Sequence, residues 1–251
     1  MSITRRRHQA LDGLLLTQLR IASYSCRVTV MPTPRTCLVI FDCDGVLVDS
    51  ERLAVPIDVG AIGELGWTIT EAEVIDLFLG KSEADMFMVL EQHAGRPLPR
   101  DWDERRSREY RRVFDEQLQA VPGVAEAIKA ISDIGFQTCI ASSGTHEKMS
   151  ETLRRTGLWD HFEGRIFSAT QVEHGKPAPD LFEYAASRFG LPADRCVVVE
   201  DSHHGVAAAK LAGMRAIGFA GGITPAIHLK EADVVITDMA ELAGLVALLL
   251  R

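Results

Sequence analysis

From Cys37 onward the chain alternates between two spacings of apolar residues. Short, β-branched runs recur at Cys37 to Phe41, Thr138 to Ala141, Cys196 to Val199, Arg215 to Phe219 and Val234 to Ile236. Apolar residues at helical spacing cover Val124 to Ile134, His146 to Thr156, Asp180 to Phe189, Gly205 to Ala212 and Met239 to Leu250. Strand and helix in this rhythm predict an α/β core, a doubly wound parallel sheet covered on both faces. Val197-Val198-Val199 lacks polar alternates, as expected of a central strand with no wet face. In such a sheet functional side chains lie beyond the carboxyl ends of the strands.

Residues 50–120 break the rhythm. Their pattern is helical throughout, at Leu53 to Leu65, Glu71 to Phe78, Glu83 to His93 and Asp101 to Leu118, with glycine- and proline-marked loops between. This predicts an all-helical cap domain at 50–120, inserted into a catalytic core made of 36–49 and 121–251. Residues 1–35 form an extension. Arg5-Arg6-Arg7 and the following leucines imitate a signal peptide, but Asp12, Gln18 and Arg20 interrupt the apolar stretch. The segment is expected to be disordered, or to precede a true start at Met31.

Composition narrows the function classes. A net charge of -8 argues against nucleic acid or an anionic membrane as partner. No apolar run approaches the ~20 residues of a membrane span. Five cysteines form no CxxC pair, and several sit in strand-like runs, which fits free thiols and a cytoplasmic protein. The expected state is a monomer, with a dimer as the alternative.

Candidate chemistry clusters at the strand ends. Asp42-Cys43-Asp44-Gly45 places two carboxylates two residues apart, a crowding of charge that a cation or protons must absorb. Taken alone, it could be an Asx-type turn. Ser142-Ser143-Gly144 ends the second core strand and offers hydroxyl and amide donors at the start of a helix, suited to phosphate or to simple capping. Gly175-Lys176-Pro177-Ala178-Pro179-Asp180 is a stiffened loop presenting one lysine. Glu200-Asp201 is a second acidic pair at the end of a buried strand, suited to a hard divalent cation.

In series, FDCDGVLVDS, ASSG, GKPAPD and VEDS resemble the haloacid dehalogenase superfamily. Within it, they are similar to the sugar-phosphatase and beta-phosphoglucomutase branch, which carries a helical cap after the first motif. The resemblance covers Thr36 to Arg251 and implies a Rossmann-like core. It implies a phosphatase acting on a small phosphorylated metabolite, with Asp42 as nucleophile and Asp44 as general acid and base. Ser142, Ser143 and Lys176 would hold the phosphoryl group. Magnesium would be bound by Asp42, the Asp44 carbonyl and Asp201, with Glu200 as ligand or supporting group. In the cap, Lys81 of the Gly80-Lys81-Ser82 loop is the candidate substrate contact.

The alternatives are a sugar phosphomutase and an inactive binding relative. Asp44 excludes the dehalogenases, which lack that aspartate. Ala54 and Glu83 stand where the mutase group carries a histidine and an arginine; Lys81 or Arg106 would have to substitute. The arginine cluster Arg105-Arg106, Arg108 and Arg111-Arg112 is interleaved with acids and predicts a solvated helix face. His203-His204 are expected in the first turn of a helix, pointing apart.

Overall fold

The computed structural model describes residues 37–250; the expectation for the extension lies outside the described residues. Six parallel strands form one sheet: β1 (Leu38–Phe41), β2 (Gln137–Ser142), β3 (Ile166–Ser168), β4 (Cys196–Glu200), β5 (Arg215–Phe219) and β6 (Val234–Ile236). Their order is β3-β2-β1-β4-β5-β6. Chain progression runs outward in both directions from the β1/β4 pair, so the crevice of this doubly wound sheet opens there. β1 pairs in register with both neighbours, Phe41 lying opposite Ile140 on β2 and Val199 on β4.

The period of two along β1 divides the core. Cys37, Val39 and Phe41 enter one buried cluster, and Leu38 and Ile40 enter another on the opposite face. The first face is covered by α5 (Val124–Asp133), α6 (His146–Arg155), the short α7 (Trp159–Phe162) and α10 (Leu242–Leu249). The second is covered by α8 (Asp180–Phe189) and α9 (His203–Leu211). With no wet face on the central strands, the site must lie at the strand ends.

Between β1 and α5 the chain forms α1 (Glu51–Glu64), α2 (Glu71–Phe78), α3 (Glu83–Ala94) and α4 (Trp102–Gln117). These helices bury a cluster of their own around Ile62, Phe78, Leu90 and Trp102, whose indole Nε1 donates to the Ala61 carbonyl at 2.8 Å. Leu53, Ala54, Phe114 and Leu118, at the base of the insert, join the core cluster instead. The two connecting segments run side by side. Asp49 N–H donates to Gln119 O at 2.9 Å, Val121 N–H donates to Leu47 O at 3.0 Å, and Val48 bridges Ala120. The β3 strand and α7, three and four residues long, are absent from the sequence-based expectation.

Candidate active site

Asp42 leaves the sheet where β1 and β4 lie side by side, and its N–H donates to Val199 O at 3.0 Å. The side chain is buried and meets a buried cation. Lys176 Nζ lies 2.5 Å from Asp42 Oδ1 and 2.6 Å from Glu200 Oε1, and its side chain is 0% exposed. Burial alone would discharge the lysine, but the two carboxylates outweigh it and hold its pKa above the ordinary value. Burial pushes the Asp42 carboxyl up; Lys176 pulls it back, Glu200 pushes it again, and the balance stands at about 7.

Glu200 is fully committed to protein donors. Besides Lys176 on Oε1, its Oε2 accepts from Ser202 N–H at 3.0 Å and from Ser202 Oγ at 2.8 Å. Ser202 caps α9 by accepting from Gly205 N–H at 3.0 Å, so the carboxylate sits at a helix N-terminus, where the backbone dipole favours negative charge. Of the two sequence-based roles for Glu200, ligand or support, this geometry favours support.

Asp44 has a different environment. Ser50 Oγ donates to Oδ1 at 2.6 Å, and Lys148 Nζ reaches Oδ2 at 2.9 Å. Burial would raise this carboxyl, but Lys148 and the two hydrogen bonds prevail and hold it below the usual range. Gly45 follows with φ of 74°, and an added Cβ would fall 2.0 Å from Asp201 Oδ2. The missing side chain lets Asp201 press against the turn. Asp201 is 4% exposed, and among the described residues its carboxylate has no hydrogen-bond donor or ion-pair partner. Burial, then Glu200, Glu51 and Asp42, push it well above the carboxylate range. Glu51, first residue of α1, is pushed up to about 8 by burial and then by Asp44. Five carboxylates therefore share this crevice with two ammonium groups, Lys148 and Lys176.

Ser142 is buried at the end of β2, its Oγ accepting from Gly144 N–H at 3.3 Å. Ser143 turns elsewhere: its Oγ donates to Gly80 O at 2.8 Å, joining this segment to the loop before α3. Gly80 lies so close to Ser202 that a Cβ would fall 2.2 Å from its Oγ. The Gly80-Lys81-Ser82 loop thus reaches the strand ends, and Lys81 is half-buried there. Lys148 and Glu51 carry no sequence signal of a site, because each is a charged residue in a first helical turn beside an opposite charge, Glu147 and Arg52, where a solvated side chain is the ordinary expectation.

Two sequence-based expectations need correction. Arg106 is buried rather than solvated, with Nη1 3.0 Å from Asp58 Oδ1 and Nη2 2.8 Å from Glu83 Oε1. His203 and His204 do open α9, but their rings do not point apart; the centroids are 3.9 Å apart. The Cys43 thiol is pushed well up, first by burial and then by Asp44 and Asp42, which removes it as a nucleophile. Cys37, Cys43, Cys139 and Cys196 are buried and free. No helix among the described residues is long and apolar enough to cross a membrane.

Comparison with known proteins matches residues 38–213 to the haloacid dehalogenase-like hydrolase family. A 6-phosphogluconate phosphatase of Escherichia coli is 30% identical over 182 residues, 72% of this chain and 81% of the relative. A phosphorylated carbohydrates phosphatase of Thermotoga maritima is 33% identical over 180 residues, 71% of this chain and 82% of the relative. A solved haloacid dehalogenase-like protein of Agrobacterium tumefaciens superposes with a TM-score of 0.71 at 33% identity, covering 85% of this chain and 99% of that one. With the family match spanning the central crevice and all but the last two strands, the chain belongs to the haloacid dehalogenase-like hydrolases.

Proposed function

We propose that this hydrolase is a magnesium-dependent phosphatase of small phosphorylated sugars or related phosphate monoesters, working through an aspartyl-phosphate on Asp42. The observation that carries the reading is the Asp42–Lys176–Glu200 chain. A carboxylate at the mouth of the crevice is backed by a buried lysine, itself fixed by a glutamate with no free oxygen. Asp42 attacks phosphorus as the ester oxygen departs, splitting one hard step into two. Asp44, ionised in the free site, must first take up a proton with the incoming monoester; it then delivers that proton to the leaving oxygen and takes one back from the water that hydrolyses the phospho-aspartate. Lys176 and Ser142 stabilise charge on the phosphoryl oxygens as it shifts.

The residues fit magnesium. Among the described residues no three Asp, Glu, His or Cys side chains close into a ready-made cage. The available set is instead two carboxylates, Asp42 and Asp201, with the Asp44 carbonyl, and magnesium keeps waters for its remaining positions. Asp201 is the fitting feature, a buried hard oxygen donor lacking a protein partner in a crevice of excess negative charge. When bound, the ion would neutralise charge on the nucleophile and the phosphoryl group.

The substrate class rests on the relatives that act on 6-phosphogluconate and phosphorylated carbohydrates. Residues 50–120 act as the cap over a core of 36–49 and 121–251, with the paired segments around Val48 and Ala120 as the crossing. Lys81 is the proposed cap contact to substrate. Hydrolysis is favoured over a mutase because Arg106, one of two cations able to hold a second phosphate, is engaged by Asp58, Glu83 and Asp103. The test is p-nitrophenyl phosphate hydrolysis with EDTA and with added magnesium, in wild type and Asp42→Asn. Activity is expected to vanish with EDTA, return with magnesium, and be absent in the variant at any magnesium concentration. Near-normal turnover by Asp42→Asn overturns the mechanism. Conversion of beta-glucose 1-phosphate to glucose 6-phosphate without phosphate release supports the mutase instead.

A further inference from the structure

The two aspartates of the first motif are each held by a different lysine. Lys176 serves Asp42 and is wholly buried; Lys148 serves Asp44, and its side chain is 43% exposed. Lys148 lies in the first turn of α6, which Thr145 caps by accepting from Lys148 N–H at 3.2 Å. This helix follows directly on the Ser142-Ser143-Gly144 segment. The stem of Lys148 passes over Gly144, where an added Cβ would stand 3.7 Å from its Cδ. The ammonium is thereby carried across the phosphate-facing turn to Asp44 Oδ2. The other oxygen of Asp44 is taken by Ser50, the residue that precedes α1. One carboxylate is thus pinned at both oxygens, from the core by Lys148 and from the entrance of the helical insert by Ser50.

We infer that Lys148 is a positioning residue for Asp44, fixing the carboxylate in the orientation from which it exchanges a proton with the leaving oxygen and with water. The inference rests on the hydrolysis proposed above. Proton transfer demands hydrogen-bond reach and alignment, and an aspartate rotating freely about its side-chain bonds spends little time aligned. Ser50 alone fixes one oxygen and leaves rotation about that contact; the second contact removes it. Lys148 touches no atom of the breaking bond in this role, and its effect passes through Asp44.

The test compares phenyl phosphate with p-nitrophenyl phosphate in magnesium-replete wild type, Lys148→Met, Lys148→Arg, Asp44→Asn and the Lys148→Met/Asp44→Asn double variant. Phenolate is the stronger base and departs with more help from a proton. Lys148→Met is expected to lower kcat for phenyl phosphate by about 10- to 100-fold, no more than the roughly 10²–10⁴-fold a general acid/base supplies in full. The loss on p-nitrophenyl phosphate should be smaller and KM little changed. Lys148→Arg, which keeps the cation, should recover most of the rate. In the Asp44→Asn background Lys148→Met should cost nothing further, because two residues acting as one unit are non-additive. Losses that multiply in the double variant, equal losses on both esters, or a wild-type rate in Lys148→Met overturn the inference. A wild-type rate on phenyl phosphate in Asp44→Asn alone would instead bring down the acid/base scheme beneath it. Circular dichroism of each variant guards against a folding defect. If Lys148→Met unfolds, Lys148→Gln replaces it under the same criteria.

Discussion

Asp201 approaches the backbone at Gly45 so closely that the turn tolerates no side chain there. Two penalties meet at this position: φ of 74°, costing an L-residue roughly 1–2 kcal/mol, and a Cβ 2.0 Å from Asp201 Oδ2. Gly66 separates them, since it has φ of 90° with nothing within 4 Å of an added Cβ. Gly45→Ala and Gly66→Ala should both lower the melting temperature. Only Gly45→Ala should displace the carboxylate and raise the magnesium needed for half-maximal activity, by about 10- to 100-fold as for other disturbed ligand shells. Equal magnesium requirements in the two variants would remove Asp201 from the metal site. The sequence carries this much of the site in the open, because Asp42, Asp44, Gly45 and Asp201 are adjacent to strand ends that periodicity locates. It does not carry Lys148, which comes to Asp44 from 104 positions away in sequence. A lysine in a first helical turn has no local signature of its partner.

Helix α4 shows how a whole element can mislead when read by composition. Arg105, Arg108 and Arg112 form exposed pairs with Asp101, Glu104 and Glu109, as an interleaved charge run predicts. Arg106, in the middle of the same run, turns inward between Asp58 of α1 and Glu83 of α3, with its guanidinium 5.1 Å from the Tyr110 ring centroid. Inward and outward arginines are indistinguishable by type; only the turn of the helix separates them. Removing one partner of a buried pair leaves the other charge uncompensated, which typically costs about 3–5 kcal/mol. Exposed pairs contribute about 0–1 kcal/mol. Arg106→Met should therefore destabilise the protein by several times more than Arg108→Met in urea unfolding. Comparable midpoints for the two variants would mean that Asp58 finds another partner or is readily protonated. The short β3 strand was illegible for a related reason: three residues, Ile166 to Ser168, are too few to display a period.

At the scale of the whole molecule, the crevice stores an electrostatic cost that the proposed cation would relieve. Asp42 and Asp201 both have folded-state pKa values above those of the unfolded chain, Asp42 at about 7 against 3.8. The folded state therefore holds protons that the unfolded state has released. By linkage, Asp42 weakens stability as pH rises from about 4 through 7, Asp201 acts in the same direction, and acid restores what is lost. A divalent ion binding the same oxygens competes with those protons, so its affinity grows as they leave. Magnesium should raise the melting temperature most at pH 8 and progressively less toward pH 5. At a hundred times Kd the stabilisation is about 2.7 kcal/mol, several degrees for a domain of this size. Asp201→Asn removes one of the crowded charges. That variant should melt higher than wild type at pH 8 without magnesium, and should lose most of the magnesium increment. The measurement needs no substrate, so it tests the metal site independently of catalysis. A magnesium increment that is the same at pH 5 and pH 8, or that survives intact in Asp201→Asn, places the ion elsewhere on the surface and leaves the buried aspartate without its proposed partner.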